Sequence, residues 1–63
     1  MKNYFKITTE KEITTSKGIT SQDLVNVLKK ANVDANVNGF IKNYKWEKII
    51  NGEVIATEII KRR

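Results

Sequence analysis

The sequence predicts an α+β domain in which one helix packs on a small, mostly antiparallel sheet of three to four strands. Three observations carry that expectation. A Thr-x-x-Asp start leads into one apolar stripe at helical spacing, β-branched and aromatic runs lie on both sides of it, and Asn-Gly pairs occur at 38–39 and 51–52. The expected order is β, a possible short β, α, β, β, β, in a single domain over residues 1–63.

The first segment, Asn3-Tyr4-Phe5-Lys6-Ile7-Thr8-Thr9, alternates β-prone residues so that Phe5 and Ile7 share one side, which predicts a strand over 3–9 with those two facing inward. Lys6-Ile7-Thr8-Thr9 is echoed by Glu12-Ile13-Thr14-Thr15. A short second strand folding back over Glu10-Lys11 is one reading of that echo; one long strand or a loop is the other.

Thr20-Ser21-Gln22-Asp23 fits a capping box, with Ile19 and Leu24 at the positions of a hydrophobic staple. Leu24, Val27, Leu28 and Ala31 then recur at i, i+3, i+4, i+7, so a helix is expected over 20–32. Lys29 and Lys30 near its end complement the helix dipole.

Beyond it, Val33, Ala35 and Val37 alternate with polar residues, and strands are expected at about 33–37, 40–50 and 53–61. A two-residue Asn51-Gly52 loop implies the pairs Ile50 with Glu53, Lys48 with Ile55, Trp46 with Thr57 and Tyr44 with Ile59. The opposite face then pairs Ile49 with Val54, Glu47 with Ala56, Lys45 with Glu58 and Asn43 with Ile60. Tyr44, Trp46, Ile55 and Ile59, joined by Phe40, make the natural face for the helix. Ile49, Val54 and Ile60 are left as an apolar patch on the other side, unless a bulge turns some of them inward.

Composition removes several classes of function. The 63 residues include no cysteine and no histidine, so disulfides, thiolate zinc sites and histidine acid–base chemistry are all absent from the repertoire. A chain of this length buries only about 60% of its unfolded surface, which leaves little room for an enclosed substrate pocket. Glu47 and Glu58 share a face in the expected register, but Lys45 opposite Glu58 makes a salt-bridge ladder the better reading than a pair of catalytic carboxylates. Ser16 and Ser21 have no base to activate them, and the glycines at 18, 39 and 52 form no phosphate-cradling loop. No enzyme and no cofactor are expected.

Asp34-Ala35-Asn36-Val37-Asn38-Gly39-Phe40-Ile41 has the D-x-N-x-N-G opening of an EF-hand or dockerin-like calcium loop. Its twelfth position is Lys45, where a bidentate carboxylate belongs, and an ammonium there repels the ion. An Asn-Gly turn is therefore the expected reading, with no metal site.

No apolar run approaches the roughly 20 residues that span a bilayer, and none follows Lys2 as a signal peptide would require, so a soluble, cytoplasmic protein is expected. What remains is binding. The net charge of +5 favours a polyanionic partner, with Lys29, Lys30, Lys42, Lys45, Lys48, Lys61, Arg62 and Arg63 as candidate nucleic-acid contacts. Against this, the charge is dispersed, and Tyr44 and Trp46 on the inward face belong to the core. A protein partner, or a second copy in a homodimer, is therefore placed first, with Ile49, Val54 and Ile60 as its contacts. The expected role is regulatory or inhibitory, of the kind small phage or mobile-element proteins perform.

Overall fold

A computed structural model of the protein describes residues 2–33 and 43–61. Among these, strands β1 (Asn3–Thr8) and β2 (Ile13–Thr15) precede helix α1 (Ser21–Lys30), and strands β3 (Tyr44–Ile50) and β4 (Glu53–Ile60) follow it. The strands form one antiparallel sheet in the order β2-β1-β3-β4, and the helix packs against the β1–β2 half of one face. The expected α+β class and the short second strand are both present.

The β1–β2 hairpin turns at Glu10-Lys11. Thr9 closes it twice over, its N–H donating to the Glu12 carbonyl at 3.0 Å and its hydroxyl accepting from the N–H of Glu12 at 3.3 Å. At the other end Ser16 takes the chain out of the sheet. Its N–H still donates to the Phe5 carbonyl at 2.9 Å, but the Phe5 N–H donates to the Ser16 hydroxyl at 2.7 Å, where a continuing strand would offer a carbonyl. The same hydroxyl donates to the Gly18 carbonyl. One side chain thus satisfies a central-strand amide while the backbone leaves for the helix.

Helix α1 begins as the spacing predicts. Thr20 is the N-cap, its hydroxyl accepting from the Asp23 N–H at 3.1 Å, and the Thr20 N–H donates back to Asp23 Oδ2 at 2.9 Å. The helix ends on Asn32, whose φ of 62° lets the Asn32 N–H reach the Lys29 carbonyl at 3.0 Å and the Val33 N–H reach the Leu28 carbonyl at 2.9 Å. That double closure is a Schellman motif, and its hydrophobic clasp is the buried Val33. Val33 therefore closes the helix and does not open a strand. The remainder of the expected 33–37 strand, the calcium-like stretch 34–41, and Phe40 lie outside the described residues.

The β3–β4 hairpin corrects the expected register. Asn51 and Gly52 have φ of 54° and 81°, as a type I′ turn requires, and Ile50 pairs with Glu53 and Ile49 with Val54 as anticipated. Beyond that point the ladder shifts: Lys48 pairs with Ala56, Trp46 with Glu58, Lys45 with Ile59 and Tyr44 with Ile60. Ile55 is the extra residue of a β-bulge, so every side chain from Ala56 onward points to the face opposite the one expected. Ile60 turns to the helix side and packs against the core; Ile59 turns away from it. The expected Lys45–Glu58 pair is replaced by Lys45–Glu47 along one strand at 3.7 Å, and by a hydrogen bond from Trp46 Nε1 to Glu58 Oε1 at 3.2 Å.

Phe5, Ile7, Val27, Ala31, Val33 and Tyr44 form the core, flanked by Ile19, Leu24, Leu28, Trp46 and Ile60. Phe5 and Trp46 meet edge to face with ring centroids 6.2 Å apart and planes at 75°. Ile7, at 0% exposure, is the centre. Truncating it to alanine costs about 2–5 kcal/mol, against a total stability of about 3–9 kcal/mol for a domain of this size.

Candidate functional site

The sheet face away from α1 is open. Strand alternation and the observed register place Tyr4, Lys6 and Thr8 of β1, Lys45, Glu47 and Ile49 of β3, and Val54, Thr57 and Ile59 of β4 on that face. Ile13 and Thr15 of β2 join them through their pairing with Thr8 and Lys6. Its β4 side is apolar and open, with Val54 50% and Ile59 64% exposed; the bulge residue Ile55, unpaired in the ladder, is 52% exposed. β4 is also an edge strand of the four, eight residues long, with charges at Glu53 and Glu58 and a bulge that interrupts regular pairing.

The sequence-derived protein contacts are only partly brought together. Ile49 and Val54 are register partners, but Ile49 is 5% exposed and sits between Tyr4 and Val54 in the ladder. Ile60 is on the opposite face, beside Tyr44. Ile59 and Ile55, which the unbulged register assigned to the core side, are exposed instead. Nothing in the turn at Asn51-Gly52 signals the bulge, since the turn constrains only the pairs next to it.

The candidate nucleic-acid contacts are dispersed. Lys29 and Lys30 are exposed on the last turn of α1, Lys45 lies on the open face against Glu47, Lys48 lies on the helix-side face opposite Phe5, and Lys61 is exposed just past β4. Lys42, Arg62 and Arg63 are outside the described residues.

A basic groove of about 670 Å³ forms beside β1, lined by Lys2 just before the strand, by Asn3, Tyr4 and Lys6 of β1, and by Thr15, Ser16 and Lys17 at the end of β2. Among the described residues no carboxylate lines it. The Lys2 carbonyl accepts from the Asn51 N–H at 3.2 Å, and Ser16 is held to Phe5, so the backbone on both walls is anchored. A second hollow of about 240 Å³ shares Thr15, Ser16 and Lys17 and continues onto the helix past Asp23, Asn26 and Lys30. The acid among its described residues is engaged: Asp23 accepts from the Thr20 N–H and hydroxyl, and these bonds hold its carboxyl below the ordinary aspartate value. The alternation Lys2-Tyr4-Lys6 is visible in the sequence, but Lys17 reaches it only through the β1–β2 register.

Among the described residues no three His, Cys, Asp or Glu side chains gather where they could hold a metal ion. Nor is any helix among them long and apolar enough to cross a membrane. Comparison with protein-family models, with curated proteins and with solved structures returned no significant match.

Proposed function

We propose that the protein is a non-catalytic binding protein that acts, in a regulatory or inhibitory role, by engaging a protein partner through the outward side of β4. The observation that carries this reading is the exposure of Val54, Ile55 and Ile59 on an edge strand. Three large aliphatic side chains within six residues are half or more exposed to water, and covering them with a partner's apolar surface stabilises by about 25 cal/mol per Å² removed from solvent. The bulge and the flanking Glu53 and Glu58 oppose regular strand addition, which favours a partner that packs on side chains over one that extends the sheet.

Cross-linked capture from cells expressing the tagged protein tests this reading. Wild-type protein is expected to retain a defined partner in high salt, and Val54→Lys and Ile59→Lys variants to lose it while remaining folded. Retention of the same partner by both folded variants removes β4 as the contact. Light scattering on the purified protein shows whether that partner is a second copy.

A further inference from the structure

We infer that the groove between β1 and the end of β2 is a binding site for single-stranded nucleic acid, with phosphates held by Lys2, Lys6 and Lys17 and a base stacked on Tyr4. This goes beyond the protein-partner reading and uses none of the β4 residues. Tyr4 and Lys6 alternate along β1 and so project to one face about 7 Å apart, and Lys2, just before the strand, lines the same groove, giving ammonium, aromatic, ammonium in order. A single strand repeats the same alternation of anionic phosphate and planar base, and a groove that pairs cations with a ring accommodates it without reading sequence.

Lys17 supplies the facing wall. It follows Ser16, whose two hydrogen bonds to Phe5 fix where the chain leaves the sheet. The acid closest in register, Glu47 opposite Lys6, is bonded to Lys45 at 3.7 Å, and Asp23 in the adjoining hollow is bonded to Thr20. Lys45 offsets the charge of Glu47, whereas Asp23 stays ionised on its Thr20 hydrogen bonds, so the positive sign of the groove rests on Lys2, Lys6 and Lys17 outnumbering that one charge in the adjoining hollow. An acidic polypeptide would satisfy the lysines but would give Tyr4 no planar partner, which is why nucleic acid is the occupant assigned.

The test is fluorescence anisotropy with a labelled oligothymidylate at low ionic strength, on wild-type protein, on the triple variant Lys2→Ala/Lys6→Ala/Lys17→Ala, and on the control Lys11→Ala/Ser21→Glu/Gln22→Glu. Both triples lower the net charge from +5 to +2, so net charge alone does not separate them. The expected result is tenfold or greater weakening in the groove triple and less than threefold in the control. The wild-type log–log salt slope should contain a contribution of about −2 from three phosphates that the groove triple lacks. If the groove triple fails to fold, Lys17→Ala alone, which lies outside the strands, should reduce the slope by about 0.7. Equal weakening by the two triples, no binding by wild type, tighter binding of duplex than of single strand, or equal displacement of the oligonucleotide by polyglutamate of matched charge would each overturn the assignment.

Discussion

Trp46 and Glu58 are cross-strand partners joined by a hydrogen bond from the indole N–H to the carboxylate, 3.2 Å long, and they meet only because Ile55 is looped out of the ladder as a bulge. In an unbulged hairpin Trp46 would face Thr57, which instead donates its hydroxyl to the Trp46 carbonyl at 3.0 Å. The bulge decides which aliphatic residues of β4 enter the core and which face outward.

Because the bulge is one residue long, deleting Ile55 leaves Ala56 to Ile60 with their present partners. The shortened protein is expected to fold cooperatively and keep its Trp46 emission maximum. Glu58→Ala, which removes the indole's acceptor at a solvent-accessible site, should cost about 0.5–1 kcal/mol in urea denaturation and shift that emission. Loss of folding in the Ile55 deletion would show that the register depends on the bulge residue itself.

The helix start offers a pH-dependent test. Asp23 has its carboxyl pKa lowered from 3.8 by hydrogen bonds from the Thr20 backbone and side chain. A depressed folded-state value means that the unfolded chain binds the proton more readily. The contribution is therefore fully present above the unfolded value, and is lost as pH falls through the folded one. Urea midpoints measured from neutral pH down past 3.8 should decline more steeply in wild type than in Asp23→Asn. Thr20→Ala should cost about 1 kcal/mol at neutral pH.

Gly18 is coupled to the same cap. A Cβ built there would stand 2.6 Å from Asp23 Oδ2, closer than two such atoms approach, so Gly18→Ala must move a carboxylate that the capping box holds in place. The expected loss is of the order of the cap itself, about 1 kcal/mol. In the Gly18→Ala/Asp23→Ala double variant the two losses should fail to add, since each removes the same contact. Strict additivity would place the cost of Gly18→Ala elsewhere.

Ser16→Ala deprives the Phe5 N–H of its acceptor beside the core and frees the Gly18 carbonyl. A loss of about 1–2 kcal/mol is expected, together with faster amide exchange at Phe5 than at Ile7. Unchanged exchange at Phe5 would mean that backbone relaxation supplies another acceptor.

These positions also show where the sequence is transparent. Thr20 and Asp23 mark the helix start because capping is a local interaction within four residues, and Phe5 and Ile7 mark the core by strict alternation. Asn51-Gly52 marks a type I′ turn because both residues tolerate positive φ. Val33 is misleading: its alternation with Ala35 and Val37 outweighs Asn32 before it, although an asparagine just past an apolar stripe is itself a helix-stop signal. The bulge at Ile55 has no local mark, since a β-branched residue suits a regular strand equally well. Its cause lies in packing, where Ile60 joins Tyr44 over the core. The groove shared by Lys2, Lys6 and Lys17 is hidden for a similar reason, as it depends on the β1–β2 pairing and on the chain's exit at Ser16.

The most direct measurement is site-specific photocross-linking in the host cell from a benzoylphenylalanine placed at Ile59, compared with one placed at Ile60. With Ile59 64% exposed on the open face and Ile60 packed against the core, adduct formation with a protein partner is expected from position 59 and not from position 60. Cross-linking from position 60 alone, or from neither position in protein that remains folded, would contradict binding through the outward side of β4.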